Sequence, residues 1–178
     1  TIFFAMLVGG LALAVGIAIY DLTVRELDLS ATATQSQYAI YAADTGAECA
    51  LYWDFKCTLS ACTANGAANS AFATSSNSAA PASGVLCNTQ DVAAAGTPPT
   101  PYAAPPTGWS GWAITTLPAG AAAATTTFTV SFAPQPYCAT VTVAKSGTPT
   151  VTTITSHGYN TCAAGGMTRL ERVLQVTY

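Results

Sequence analysis

Charge is what this chain has least of. Thirteen of its 178 residues are Lys, Arg, Asp or Glu, which is 7% against about 25% in ordinary soluble domains. The first twenty residues carry none, eight lie between 21 and 56, and Asp91 and Lys145 are the only two between 57 and 168. Five basic residues that form no run cannot supply a ladder of phosphate contacts, so no nucleic-acid partner is expected. A surface this neutral tends to self-associate. Either an assembly buries most of it, or another device such as glycans keeps it in solution.

The remaining absences exclude chemistry. His157 is the only histidine, without a sequence neighbour to orient it, and reads as a surface or strand-end residue rather than a general base. No C-x2-C spacing occurs, so zinc is not supported, and Cys57-x4-Cys62 is not the pair of a thiol oxidoreductase. Asp91 is the only acid between 57 and 170, too few for a calcium site. No G-x-S-x-G elbow and no glycine-rich phosphate loop appear; Gly9 and Gly10 fall inside an apolar run, where helix packing explains them. No enzyme, no cofactor and no metal is the resulting expectation. The chain also lacks an N-x-[ST] sequon. O-linked glycans on Thr125–Thr127 or on residues 74–78 stay open, and Trp109 and Trp112 near Tyr102 read as packing residues rather than a glycan platform.

What is present begins with residues 1–20, uncharged and mostly apolar. As a helix they span roughly 30 Å, enough for a bilayer core. No proline occurs before Pro81, and helical spacing continues to about Trp53. Leu22, Leu29 and Ala33 continue one face; Ala39, Ala43, Gly46, Ala50 and Trp53 form a small-residue stripe. Asp21 and Arg25 stand in the favourable i,i+4 order. Gly46 marks either a bend or helix end, or close approach to a packed sheet. One helix over residues 1–55, with 1–20 as membrane or filament-core segment, suits a filament subunit better than an enzyme. The absence of a Met and of basic residues ahead of the run implies a leader that has been removed.

Residues 56–178 read as one modest β domain. Strands are expected at Val85–Val92, Trp109–Thr115, Thr126–Phe132, Cys138–Lys145, Val151–Ser156 and Met167–Tyr178, with a hairpin turn at Ser146–Thr148. Residues 63–84, 93–107 and 118–124 read as irregular surface segments. An antiparallel sheet that takes the helix stripe on one face makes the fold class α+β. Six cysteines, Cys49, Cys57, Cys62, Cys87, Cys138 and Cys162, point to disulfides formed outside the cytoplasm. They allow 15 pairings; a small Cys57–Cys62 ring, with Cys49–Cys87 and Cys138–Cys162, is the favoured set.

The segment Gln35–Trp53 resembles bacterial type IV pilin-like proteins, and most of all the minor-pilin class with the helix pattern A-x-x-A-A-[DE]-x-x-x-E-x-A-L. That pattern falls on Ala39, Ala42, Ala43, Asp44, Glu48, Ala50 and Leu51. The stretches Ser156–Cys162 and Arg169–Val173 resemble the closing strands of the same group. The likeness covers roughly residues 1–54 and 136–178. It implies a helix held in the inner membrane and then packed by an ATPase-driven assembly machinery into a helical filament of identical subunits. The globular part would face outward. The assembly residues would be Ile2, Phe3, Phe4, Leu7, Leu11, Leu13, Ile17, Tyr20, Asp21 and Arg25. Two departures stand out: Thr1 and Ala5 replace the Phe or Met and the Glu of better-known pilins, and Leu22 stands where they often carry Pro. Gly9, Gly10 and Gly16 offer another weak point in the helix. The rival expectations are a low-copy minor pilin or a type II secretion pseudopilin, and a membrane-anchored surface binding module that never polymerises.

Overall fold

The computed structural model describes residues 2–59, 62, 70–72, 83–93, 113–116, 123–147, 150–163 and 169–178. Residues 109–112 of the expected strand Trp109–Thr115, residues 63–69, 73–82, 94–107 and 118–122 of the expected irregular segments, the turn residue Thr148 and the start of the last strand at 167–168 lie outside the described residues. The chain divides into two compact units, Thr1–Gln35 and Ser36–Tyr178, and a single helix, α1 (Ile2–Phe55), supplies residues to both.

In the first unit α1 is held by its own backbone ladder. Thr23, Thr32 and Thr34 donate their hydroxyls to the carbonyls of Ile19, Asp28 and Ser30, four residues back, at 2.8, 2.8 and 3.0 Å. Each polar side chain is thereby folded onto the helix rather than competing for another backbone conformation.

In the second unit α1 turns one stripe inward: Ala39, Ala42, Ala43, Gly46, Ala47, Ala50, Trp53 and Asp54 are buried. Small residues let the helix lie close to a sheet. A β-carbon built on Gly46 would meet Ser156 Oγ at 2.7 Å, Val141 Cγ2 at 2.8 Å and Ala139 Cβ at 3.0 Å. Of the two readings of Gly46, close approach therefore holds, and the helix continues past it to Phe55.

The sheet is an antiparallel meander in chain order. It comprises β3 (Ala113–Thr116), β4 (Ala123–Ser131), β5 (Cys138–Ser146), β6 (Val151–Tyr159) and β7 (Glu171–Thr177). Val and Thr alternate along its centre, so the pleat sends Val141, Val143 and Ile154 inward beside Phe128 and Val130. Thr140, Thr142, Thr153 and Thr155 stand half-exposed on the other face. In register, Thr127 faces Thr142 and Thr142 faces Thr155, while Thr153 faces Thr177.

Several expectations change. Val85–Val92 is not one strand but a tight hairpin of β1 (Leu86–Cys87) and β2 (Gln90–Asp91). Asn88 and Thr89 turn the chain between them with φ of 48° and 65°, the left-handed pair that a two-residue hairpin loop requires. The expected strand Thr126–Phe132 runs instead from Ala123 to Ser131, so two residues of the Ala-rich tip are strand; β6 extends to Tyr159, and β7 begins at Glu171. Residues 63–84 are not all surface, because Ser70, Ala71 and Phe72 are buried, with Phe72 stacked 6.1 Å from Phe128. Lys145, one of the two charged residues between 57 and 168, is buried as well. The disulfides are Cys49–Cys87, Cys57–Cys62 and Cys138–Cys162, with Cα separations of 5.9, 6.2 and 5.6 Å; the close spacing of Cys57 and Cys62 points to one of them, and the other two match the set favoured among the remaining pairings.

Candidate functional site

The apolar part of α1 is the most unusual surface of the described chain. Ile2, Phe3, Phe4, Leu7, Leu11, Leu13, Ile17 and Tyr20 are each between 53% and 80% exposed. Burying one such side chain is worth about 1.5–3 kcal/mol, so covering eight of them offers a large gain in free energy. Length and composition fit a membrane span: an 18-residue window of α1 has mean hydropathy 2.6 and none of it is buried in the protein. Gly9, Gly10 and Gly16 have no heavy atom within 4 Å of an added β-carbon, leaving notches where a second helix backbone can come close. At the polar end of this run Arg25 pairs with Asp21 at 3.1 Å, both exposed. Such a pair contributes only a few tenths of a kcal/mol.

Two polar groupings in the second unit were not legible as sites in the sequence. On the outer face of the sheet, His157 Nδ1 contacts Glu171 Oε1 across β6 and β7. The missing orienting partner of His157 is thus an acid fourteen positions away, which sequence adjacency does not reveal. Beside it, Arg169 stacks over the Tyr159 ring at 3.8 Å. Burial pushes the Tyr159 phenol up from its ordinary value, and the Glu171 charge and hydrogen bond push it further, against the opposing effect of Arg169. The contact ties β6 to β7.

The second grouping is buried at the end of α1. Asp54 Oδ1 contacts the Lys145 ammonium and accepts a hydrogen bond from Ser70 Oγ; Asp54 Oδ2 accepts one from Tyr178 OH at 2.6 Å. The Tyr178 phenol is raised well above its usual range, first by burial and then by its bond to Asp54. Asp91 is also spoken for: Gly84 N–H and Ala93 N–H donate to its two oxygens at 2.6 and 3.1 Å. Among the described residues no group of three or more His, Cys, Asp or Glu could hold a metal. A cleft of about 210 Å³ lined by Asn88, Thr89, Gln90, Ser131 and Ala133 carries no charge.

Comparisons with family profiles, with characterised proteins and with solved structures give no match to this chain.

Proposed function

We propose that the chain is a structural subunit of a type IV pilus-like extracellular filament, polymerising through the Ile2–Tyr20 segment of α1. One observation carries the reading: a helix segment, Ile2–Tyr20, whose large apolar side chains are all exposed, with glycine notches between them. Such a helix needs lipid before assembly and the same helix of other subunits after it. The neutral exterior supports the reading further. Lys145 is buried and Asp91 is half-buried with both oxygens engaged, so residues 57–168 present little charge. Where copies meet through this region, like-charge repulsion is small. In this reading the inner membrane holds the precursor and a dedicated assembly machinery extracts it.

Negative-stain microscopy of material sheared from the cell surface, with mass spectrometry of any filaments, tests it. This chain as the main component of filaments is the expected result, and a trace amount would point to the minor-pilin or pseudopilin role. Intact chain found only in the membrane fraction would replace the filament with an anchored, non-polymerising module.

A further inference from the structure

One of the five basic residues of this chain is withdrawn from water. The Lys145 side chain on β5 is 7% exposed, and that of Asp54, in the last turn of α1, is 4% exposed. Removing two ions from water carries a large desolvation penalty that their attraction repays only with good geometry. The surroundings of this pair are specific. Lys145 Nζ donates to Ser70 Oγ at 3.1 Å, and Ser70 Oγ donates onward to Asp54 Oδ1, the oxygen that Lys145 also touches. The other oxygen, Oδ2, is held by the Tyr178 hydroxyl at 2.6 Å. One hydroxyl thus bridges an amine and one carboxyl oxygen, while a phenol fixes the second oxygen; Lys145, Asp54 and Ser70 are buried, and Tyr178 covers them from the surface.

We propose that Lys145 and Asp54 condense into an intramolecular isopeptide bond once the domain has folded. One proton passes from the ammonium to Asp54 Oδ1, giving a neutral amine and a neutral acid. The Nζ lone pair attacks Cγ, whose remaining carbonyl, C–Oδ2, is polarised by the Tyr178 hydroxyl. Ser70 takes a second proton from nitrogen and returns its own to Oδ1, which leaves as water. Of the three ammonium protons, two depart in that water and one remains on the amide nitrogen, so no co-reactant is needed. The fold supplies the proximity that makes such a condensation effectively unimolecular. It also favours the product, because a neutral amide replaces two buried charges. A phenol stays protonated at neutral pH, as the polarising role requires. The bond would tie α1 covalently to β5, independently of whether the chain forms filaments.

The test is a tryptic map of the full-length chain, extracted in detergent, fully reduced and denatured before digestion. The expected result is no cleavage after Lys145, and a branched product in which the Asp54 peptide is joined to the Lys145 peptide with loss of one water. Asp54→Asn should give the same branch with loss of ammonia instead. Ser70→Ala should slow its appearance in freshly refolded protein with the disulfides intact. Complete cleavage after Lys145 in the wild-type chain, with the Asp54 peptide recovered unbranched, would overturn the proposal whatever the variants do.

Discussion

Gly158 on β6 sits directly against the backbone of Ala39 and Ala43 on α1: a β-carbon at Gly158 would fall inside the Ala39 carbonyl oxygen and the Ala43 nitrogen. The obstacle is main chain, which cannot swing aside as a long side chain can. Helix and sheet in this unit are therefore set at a distance that only glycine permits.

Gly158→Ala should accordingly destabilise the Ser36–Tyr178 unit by about 3 kcal/mol or more, at or beyond the upper end of ordinary overpacking. Gly10→Ala, with open space around it, should be tolerated and add about 1 kcal/mol of helix propensity. Denaturant unfolding of the two variants measures the contrast. Equal stability of Gly158→Ala and wild type would mean that the helix does not lie where the structure puts it.

Much of this architecture is legible in the sequence, for identifiable reasons. The Val/Thr alternation of β5 and β6 and the alanine stripe of α1 are periodic, and periodicity is a local signal. What escaped depends on remote partners. Nothing near Lys145 shows that its ammonium will meet Asp54, and nothing near Phe72 shows that it will stack on Phe128. Thr89 is β-branched and gives no warning of a left-handed backbone. Gly158 did carry a signal, since glycine inside a strand often marks close approach of another backbone. The exposed apolar run is the most legible feature of all, because hydropathy needs no partner to be seen.

Leu13→Asp places a charge in the middle of that run, at a side chain 67% exposed in the isolated chain. In a filament core the same position would hold an unpartnered buried charge. Filaments should be abolished while the disulfide-bonded unit stays folded. Wild-type numbers of filaments from normally expressed Leu13→Asp would mean that these helices do not pack together.

Alkaline stability should depend on Tyr178. Its phenol is raised from an ordinary value of 10.0, so above about pH 10 the unfolded chain has lost a proton that the folded chain keeps. Fewer protons bound in the unfolded state make stability fall with rising pH. The contribution is fully present below pH 10 and declines above it. Tyr178→Phe should be less stable than wild type at pH 7, from the lost hydrogen bond to Asp54, and should lose less between pH 10 and 11. Parallel stability profiles for the two proteins would remove Tyr178 as the cause.

The three bridges should contribute unequally. In the chain-entropy account, closing the 38-residue separation of Cys49–Cys87 is worth about 3.9 kcal/mol and the 5-residue separation of Cys57–Cys62 about 2.1 kcal/mol. Paired Cys→Ala replacements, followed by thermal unfolding, should rank in that order. A free thiol in native material, located by alkylation, would contradict the bridge assigned to that cysteine.

Filaments of this chain should stay intact from low salt to about 1 M NaCl, where the Debye length shrinks from about 10 Å at 0.1 M to about 3 Å. They should come apart in detergents that solvate Ile2–Tyr20. Dissolution by salt and resistance to detergent would instead assign cohesion to Asp21, Arg25, Glu26 and Asp28.

The meander also fixes an order of events. From β3 to β7 each strand pairs with its chain neighbour, so the sheet can close strand by strand at little loop-closure cost. The alanine stripe of α1 precedes all of them, yet the surface that receives it, with Ala139 and Val141 on β5 and Ser156 and Gly158 on β6, is made near the other end of the chain. During synthesis the stripe appears first and docks last. Until the sheet exists, the first helix to form has nothing of its own to rest against.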